Sequence, residues 1–424
     1  MTIIPSVKGT RDFYPEELAR RRWLYERIRA VSESFGYQEY DGPFLERVEL
    51  YAAKLGEELV KEQSFVFPDR GGDMIALRPE LTSSLARMVA ARAHTLPTPI
   101  RWWSFGPFWR YERPQKGRTR EFFQWNIDLL GFDNPETDAE IVAVAAAFFR
   151  SLGLGPDRVK ILVNSRTLVD TQLSNLGLTA ERRPAVLRLI DRRDKMDLES
   201  WAAYAAETGL TSNQFDGLQQ LLADRGAWNS APDLVSLFRA AEPLGILEYI
   251  AYDPTVIRGL DYYTGLVFEA RDQVGEYRAI LGGGRYDNLV GDVGGDRVPG
   301  TGFAMGDVVI GLVLDEASAR PALRVNPADV LVTTFDQLSS SLSLQLCGQL
   351  REAGFRVEWF PEGGRLPRQL KYADRQGIPL AAIIGPDEAA AGRVTIKDLR
   401  SGVQTDGLLT EAAAIVRIAL AGHA

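Results

Sequence analysis

The sequence predicts an α+β protein, and three observations lead to this fold class. Two aromatic-rich runs, Ile100–Tyr111 and Glu121–Leu130, flank a short connection with proline and glycine, which is typical of an antiparallel hairpin. Between Ser165 and about Gly245 the pattern changes to leucine-rich helical periodicity. Beyond a seam at Glu316–Asn326, strands and helices alternate as in a compact α/β domain.

Length and composition allow more than one domain and exclude several kinds of site. A chain of 424 residues, 45% of them apolar, can bury the cores of two or three domains. The single cysteine, Cys347, excludes an internal disulfide framework and a thiolate zinc cluster. Only His94 and His423 could serve a histidine metal site or a Ser-His-Asp triad. We therefore expect no structural metal.

Charge and hydropathy bear on the compartment and on partners. The segment Met1–Tyr14 is polar and does not resemble a signal peptide, and Ile141–Phe149 is too short to span a bilayer. A cytoplasmic protein without membrane association is expected. The net charge is −8, yet five basic residues against one acid fall between Arg110 and Arg120. Such a local patch can contradict the mean charge.

The N-terminal region reads as a long helix followed by an irregular strand. Pro15 suits the first turn of a helix, and Gly36 suits its C-terminal end. One apolar stripe runs along this helix: Leu24, Ile28, Val31 and Phe35. The stripe belongs either to the core or to a subunit interface, and the pattern alone does not decide between them. Tyr37–Glu46, with a bend at Gly42 and Pro43, is predicted to be extended.

The second strand of the predicted hairpin separates polar from apolar side chains. Alternate residues of a strand point to opposite faces. One face carries Phe122, Gln124, Asn126 and Asp128, and the other carries Phe123, Trp125, Ile127 and Leu129. Amides and a carboxylate beside an aromatic ring suit an enclosed polar pocket better than a solvated face. An ordinary half-buried hairpin is the alternative.

Three further segments have a structural interpretation beside a functional one. Phe65–Pro68 and Met74–Leu77 read as a short hairpin. Glu80 and Thr82 begin the helix that follows, where such residues are usually plain helix-start chemistry. The glycine triplet Gly282–Gly284 is weak evidence of phosphate binding, and a tight turn explains it more simply.

Several motifs, in this order, resemble those of one enzyme family. FWRYERPQKGRTREFFQ is similar to the second signature motif of class II aminoacyl-tRNA synthetases, and Pro43 stands where the first motif has its proline. RGLDYYTG and GGGRYD resemble the two histidine-specific signatures, with LRPELT as further support. The resemblance to histidyl-tRNA synthetases extends from Gly9 to Gly402.

The resemblance implies a fold, a domain division and a reaction. The implied catalytic domain, residues 1–325, has a six- or seven-stranded antiparallel sheet with flanking helices and a helical insertion at about 165–245. Residues 326–424 would form an α/β anticodon-binding domain, and two chains would pair through the first motif as a homodimer. The reaction would join L-histidine and ATP, bound with Mg²⁺, into histidyl-adenylate and then charge the 3′ end of tRNA(His).

The resemblance also assigns roles to particular residues. Arg110 and Arg258 would lie across the α-phosphate and the amino-acid carboxylate as the catalytic pair. Histidine would be held by Glu80, Thr82, Gln124, Asp128, Tyr262, Tyr263 and Tyr286. ATP would be held by Arg110, Arg118, Phe122 and Arg258. Arg113 and Gln115 would contact the acceptor end of the tRNA.

One departure keeps other functions open. The third class II motif usually ends in an arginine over the adenine, and here that position is Val309. Either ATP is held without this arginine or adenylation is weakened. The alternatives to a ligase are a histidine-sensing regulator of ATP phosphoribosyltransferase, an RNA-binding relative, and a small-molecule ligase. The regulators lack the C-terminal domain predicted here, and this domain also argues against the small-molecule ligase.

Overall fold

The chain forms two compact units, each described by itself. The computed structural model describes residues 3–55, 60, 62–111, 117–193, 196–257, 262–274 and 277–422. The first unit comprises Met1–Asp12 and Arg21–Pro321, and the second comprises Phe13–Arg20 and Ala322–Ala424. Within the described ranges, no helix combines the length and the apolar character needed to cross a bilayer.

The first unit alternates short strands with helices. Its strands are β1 (Gln38–Glu39), β2 (Leu45–Arg47), β3 (Val66–Pro68), β4 (Met74–Leu77), β5 (Ile100–Trp109), β6 (Glu121–Leu130), β7 (Val159–Ser165), β8 (Ile250–Tyr252), β9 (Leu266–Asp272), β10 (Leu281–Tyr286) and β11 (Gly300–Gly306). Its helices are α1 (Pro15–Ser34), which begins in the second unit, α2 (Val48–Leu55), α3 (Thr82–Arg92), α4 (Pro135–Ser151), α5 (Arg166–Asn175), α6 (Arg183–Asp191), α7 (Leu198–Glu207), α8 (Ser212–Ala223), α9 (Pro232–Ala241), α10 (Leu289–Asp292) and α11 (Asp307–Glu316).

The large sheet of this unit is mixed rather than wholly antiparallel. Among the described residues its order is β1-β5-β6-β11-β10-β9-β7-β8. The six inner strands run antiparallel, whereas β1 pairs with β5 and β8 pairs with β7 in parallel. The expected six- or seven-stranded antiparallel sheet is therefore corrected to eight strands. Parallel pairing needs a crossover, which the segments 40–99 and 166–249 supply here.

The predicted hairpin and the separation of its two faces are confirmed. β5 and β6 pair along their whole length, from Ile100 opposite Leu130 to Trp109 opposite Glu121. Trp125, Ile127 and Leu129 lie in the main hydrophobic core, where helix α4 covers the sheet. The Trp125 and Phe148 rings pack 5.0 Å apart there. The opposite, polar face of β6 is left to line a cavity.

Helix α1 contributes its apolar stripe to the core. Leu24, Ile28 and Val31 are buried with Trp103 of β5 in the same cluster, and Phe35 packs against it. The core interpretation of this stripe is thus the one observed. Gly36 has a positive φ of 79°, in the left-handed region that glycine adopts freely after a helix.

The helical segment after β7 packs in two different ways. Helices α5 to α8 share a core of their own, from Val169 to Leu222, joined by Ile257. Helix α9 instead packs on α4, and its Leu234 and Leu237 belong to the main core. The change in packing falls between Leu222 and Ala227.

The glycine triplet is not a tight turn, and that interpretation was wrong. Gly282–Gly284 lies within β10, between β9 and β11. A Cβ on Gly283 would collide with the carbonyl oxygen of Gly302, and one on Gly284 with that of Leu266. Glycine is needed because neighbouring backbones approach closely, which a sequence pattern does not reveal.

The second unit is an α/β domain built on a five-stranded sheet. Its strands are β12 (Val330–Val332), β13 (Val357–Trp359), β14 (Leu380–Ile383), β15 (Arg393–Asp398) and β16 (Gln404–Leu408), ordered β13-β12-β14-β15-β16. Its further helices are α12 (Gln337–Glu352), α13 (Leu366–Arg375), α14 (Pro386–Ala391) and α15 (Ala412–Ala421). The first three strands in this order are parallel and the rest antiparallel. Helix α14 has six residues and lies between Gly385 and Gly392.

Candidate active site

The polar face of β6 opens into a cavity of about 300 Å³, called here the small cavity. Strands β6, β10 and β11, the start of α3 and the segment before β9 form its walls. Of the predicted histidine-binding residues, it brings together Glu80, Thr82, Gln124, Asp128, Tyr262, Tyr263 and Tyr286. Residues from four distant stretches of the chain thus meet in one cavity.

Asp128 lies in the wall of the small cavity with a tyrosine as its partner. The Tyr286 hydroxyl donates a hydrogen bond to the Asp128 carboxylate, and both residues are buried. Burial, and then the neighbouring carboxylate, raise the pKa of Tyr286 well above its usual value, so it remains a neutral donor. Gly302 stands opposite Asp128 in β11, and a Cβ there would collide with this carboxylate.

Two consecutive tyrosines form another part of the wall. The rings of Tyr262 and Tyr263 lie 4.5 Å apart, and their hydroxyl oxygens are 3.4 Å apart. Tyr262 also meets Tyr286 edge to face, with ring centroids 6.0 Å apart. The wall is therefore aromatic, with hydroxyl groups as its polar atoms.

Glu80 both stabilises the start of helix α3 and lines the small cavity. Its carboxylate accepts the backbone N–H of Thr82 at 2.8 Å and that of Ser83 at 3.1 Å. The helix-start interpretation is thus confirmed. Because Glu80 and Thr82 also line the small cavity, the start of α3 offers a fixed negative charge there.

Arg110 marks the place where the small cavity meets a second one. Its Nε donates to the Pro79 carbonyl at 3.0 Å, and its guanidinium lies 5.1 Å from the ring centroid of Phe122. Arg110 and Gln124 line both the small cavity and a larger one of about 880 Å³, called here the large cavity. A molecule in either cavity therefore lies beside Arg110 and Gln124.

The predicted ATP-binding residues that lie within the described ranges line the large cavity. Phe122 and Arg118 line it, together with Arg271 and Arg278 from the β9–β10 region. Val309 also lines it, so the position where an arginine was expected presents an aliphatic side chain.

The acidic residue at the start of α11 faces inward. Asp307 accepts the backbone N–H of Phe123 and a hydrogen bond from Arg11, each at 2.9 Å. Burial raises the pKa of this carboxyl, and the Arg11 guanidinium partly offsets the rise. Asp307 therefore fixes α11 to β6 and leaves the cavity wall to the valines.

Three predicted residues lie outside the described ranges, and two residues of the small cavity were not predicted. Arg258, Arg113 and Gln115 lie outside the described residues. Asn126 and Gln63 line the small cavity without having been assigned a role. The alternation of polar and apolar residues in β6 indicated that Asn126 lies on the polar face, whereas no sequence pattern pointed to Gln63. Within the described ranges, no group of three or more histidine, cysteine or acidic residues is arranged to hold a metal ion.

Comparison with known proteins gives a consistent result. The sequence model of histidyl-tRNA synthetase matches residues 9–307, and that of an anticodon binding domain matches residues 329–417. The histidine–tRNA ligase of Opitutus terrae is 38% identical over 433 residues, covering 98% of this chain and 99% of its own. That of Halobacterium salinarum is 38% identical, with 94% of each chain covered. The crystal structure of histidyl-tRNA synthetase from Nostoc sp. PCC 7120 superposes with a TM-score of 0.81 at 25% identity, covering 98% of this chain and 99% of that one.

The fold is that of a class II aminoacyl-tRNA synthetase: an antiparallel sheet with short parallel edges, flanking helices and a separate α/β unit. Within this class, the chain belongs to the histidyl-tRNA synthetase family.

Proposed function

We propose that this protein is a histidine–tRNA ligase. It activates L-histidine with ATP to histidyl-adenylate and pyrophosphate, and then transfers the histidyl group to the 3′ end of tRNA(His). One observation carries the proposal: Arg110 and Gln124 are shared by the small and the large cavity. A histidine carboxylate in the small cavity and the α-phosphate of ATP in the large cavity meet at this guanidinium.

The small cavity suits the imidazole ring. Asp128 accepts a hydrogen bond from one ring nitrogen, and the Tyr263 hydroxyl contacts the other. Tyr286 orients Asp128 through its own hydrogen bond, and Tyr262 completes the wall. A site that hydrogen-bonds both nitrogens rejects amino acids that lack them, because buried polar partners would remain unpaired.

The start of α3 suits the rest of the amino acid. Glu80 attracts the α-ammonium group, since its carboxylate is positioned by two backbone N–H groups and lines the small cavity. Thr82 and Gln124 contact the ammonium and carboxylate groups. Together they set the carboxylate of histidine toward Arg110.

The chemistry of the first step is alignment and charge stabilisation. The histidine carboxylate attacks the α-phosphorus, a new carboxylate–phosphorus bond forms, and pyrophosphate leaves. Arg110 donates to the oxygens on which charge develops, and its hydrogen bond to Pro79 holds it in place before reaction. Arg258 is the second catalytic arginine of the proposal, from a segment outside the described residues.

The nucleotide occupies the large cavity. Phe122 stacks on the adenine ring, and Arg118 meets the outer phosphates of ATP, which enters as its Mg²⁺ complex. Arg113 and Gln115, in the connection between β5 and β6, contact the acceptor end of tRNA.

The proposal extends to the domains and to the assembly. Residues 1–325 form the catalytic domain, with an insertion at about 165–245, and residues 326–424 bind the anticodon. Two copies form a homodimer through the first motif, where Phe44 and Leu45 are each 47% exposed. Sedimentation equilibrium of the full chain tests the dimer. The cytoplasmic location stays a prediction.

The decisive experiment is histidine-dependent ATP–pyrophosphate exchange, followed by charging of tRNA(His) with labelled histidine. We expect both activities from the full chain. Exchange without charging would contradict the second step. A lack of exchange at saturating ATP and histidine would favour the histidine-sensing regulator. The match to an anticodon binding domain argues against that alternative.

A further inference from the structure

We propose that Arg278 covers the adenine ring of ATP in the large cavity, from the side of β10. This inference rests on the proposed function, since it takes ATP as the molecule in that cavity. It assigns a nucleotide-binding residue at a place where the third motif of the chain offers none.

The position of Arg278 follows from the strand register. Leu281 of β10 pairs with Met305 of β11, and Arg278 comes three residues before Leu281. Val308 comes three residues after Met305, at the start of α11. Arg278, Val308 and Val309 line the same cavity. The arginine thus belongs to the part of the wall where α11 presents only valines.

Phe122 reaches the same cavity from a different strand. It lies on β6, which flanks β11 on the side away from β10. Phe122 and Arg278 therefore approach the cavity from opposite sides of β11, Phe122 from β6 and Arg278 from the segment before β10. A flat base between them has an aromatic ring on one face and a guanidinium group on the other.

The side chain of Arg278 is available to a ligand in the large cavity. Arg271 forms an ion pair with Glu269, and Arg110 donates to the Pro79 carbonyl. The side chain of Arg278 is exposed, and within the described part of the chain it has neither an ion pair nor a hydrogen bond to the protein. Among the described residues, ligand binding therefore breaks no ion pair or hydrogen bond of Arg278.

The chemistry of arginine suits this role better than that of lysine. Its guanidinium group is planar, is more weakly hydrated than an ammonium group, and stacks on aromatic faces. The negative face of an aromatic ring attracts a cation placed over it, and the attraction is stronger where water is excluded. Valine at 308 and 309 supplies only a nonpolar surface, so Arg278 adds the electrostatic part of the contact.

The test uses the full chain with Arg278→Ala and Arg278→Lys, and with Arg70→Ala as the control. Arg70 is an exposed arginine in the β3–β4 turn, and neither cavity includes it. In pyrophosphate exchange we expect the KM for ATP to rise about tenfold in Arg278→Ala, with little rescue by lysine. The KM for histidine should not change, and the control should behave as wild type.

Adenosine distinguishes the base from the phosphates. If Arg278 stacks on adenine, the inhibition constant of adenosine rises by the same factor as the KM for ATP. An unchanged adenosine constant beside a raised KM for ATP would overturn the proposal, because the contact would then be to phosphate. An unchanged KM for ATP, or an effect confined to the KM for tRNA, would overturn it as well.

A calorimetric titration with Mg²⁺-ATP separates this inference from the proposed function. If the wild-type protein shows no exchange activity, the proposed ligase function is wrong. The titration then still compares the ATP affinity of the protein with and without Arg278. Equal affinity in the wild type and Arg278→Ala would then overturn the inference by itself.

Discussion

At the scale of single residues, Asp128 of the small cavity is the proposed partner of the imidazole ring. Its carboxylate already accepts the Tyr286 hydroxyl and faces Gly302, the residue type that leaves room for it. The surrounding wall is aromatic, so the carboxylate lies in a poorly hydrated place. In the proposed function, a ring N–H of imidazole donates a hydrogen bond to this carboxylate.

Replacing Asp128 with asparagine should weaken histidine binding selectively. The amide can still accept a hydrogen bond, but it removes the charge that favours an imidazole N–H, so we expect the KM for histidine to rise about 10- to 100-fold. The KM for ATP should change less than about twofold, and pyrophosphate exchange measures both constants. Tyr286→Phe is the control, with a smaller rise because the carboxylate remains. Equal increases in both constants would mean that Asp128 does not face the imidazole ring.

Asp307 offers a test of a buried carboxylate at the start of a helix. Burial raises its pKa in the folded protein above the ordinary value, so the fold binds this proton more tightly than the unfolded chain does. The stability contributed by the protonated form is present below the unfolded pKa and is lost as pH rises through the folded pKa.

We therefore expect wild type to gain stability relative to Asp307→Asn as pH is lowered from neutral toward about pH 4. Urea unfolding of both proteins across this range measures the difference. Asp315→Asn, an exposed carboxylate on the same helix, controls for a general loss of charge. A difference that shrinks on acidification would show that Arg11 outweighs burial.

At the scale of elements, strand β10 and helix α4 are joined by a buried arginine. Arg285 pairs with Asp138 at 3.0 Å and with Asp287 at 3.4 Å, and it donates to the backbone carbonyl of Asn134, also at 3.0 Å. Asn134 is the N-cap of α4. The arginine thus fixes where α4 begins over the sheet that carries both cavities.

Removing this cation should destabilise the protein strongly. Arg285→Met leaves two buried carboxylates without their partner, and we expect a loss of about 3–5 kcal/mol in the free energy of unfolding. Arg297→Met is a matched control, since Arg297 contacts Asp287 at 3.5 Å but its side chain is 60% exposed; its cost should be below about 1 kcal/mol. Urea denaturation measures both. Equal costs would mean that burial does not set the strength of this network.

At the scale of the whole molecule, a net charge of −8 has to be reconciled with a polyanionic substrate. The second unit concentrates exposed basic residues near and along α13, at Arg365, Arg368, Lys371 and Arg375. Such a local patch attracts phosphate groups even when the mean charge is negative, and the attraction depends on salt.

Reversing this patch should impair tRNA charging and spare amino-acid activation. For Arg365→Glu, Lys371→Glu and Arg375→Glu combined, we expect the KM for tRNA(His) to rise at least about tenfold, because cationic contacts to phosphates are lost. Pyrophosphate exchange should remain at the wild-type level. Arg417→Glu on α15 controls for charge elsewhere in the same unit. Loss of exchange in the triple variant would show that the change is not confined to tRNA binding.

The alternating pattern of β6 predicts much of the candidate site from the sequence alone. A period of two assigns Trp125 and Ile127 to the core and Asn126 and Asp128 to the cavity, because strand geometry leaves no other choice. Helix bounds followed in the same way, since Pro15 and Gly36 have restricted or permissive backbones. These are local properties of the chain, so the sequence by itself determined them.

Only the tertiary structure decided which distant segments meet. The packing of Gly283 against the Gly302 backbone, the parallel edge strands, and the placement of α9 in the main core all depend on contacts across the chain. So does the position of Arg110 between two cavities. A local pattern specifies which face of an element is apolar, but not what covers it, because the free energy of burial is shared among residues far apart in sequence.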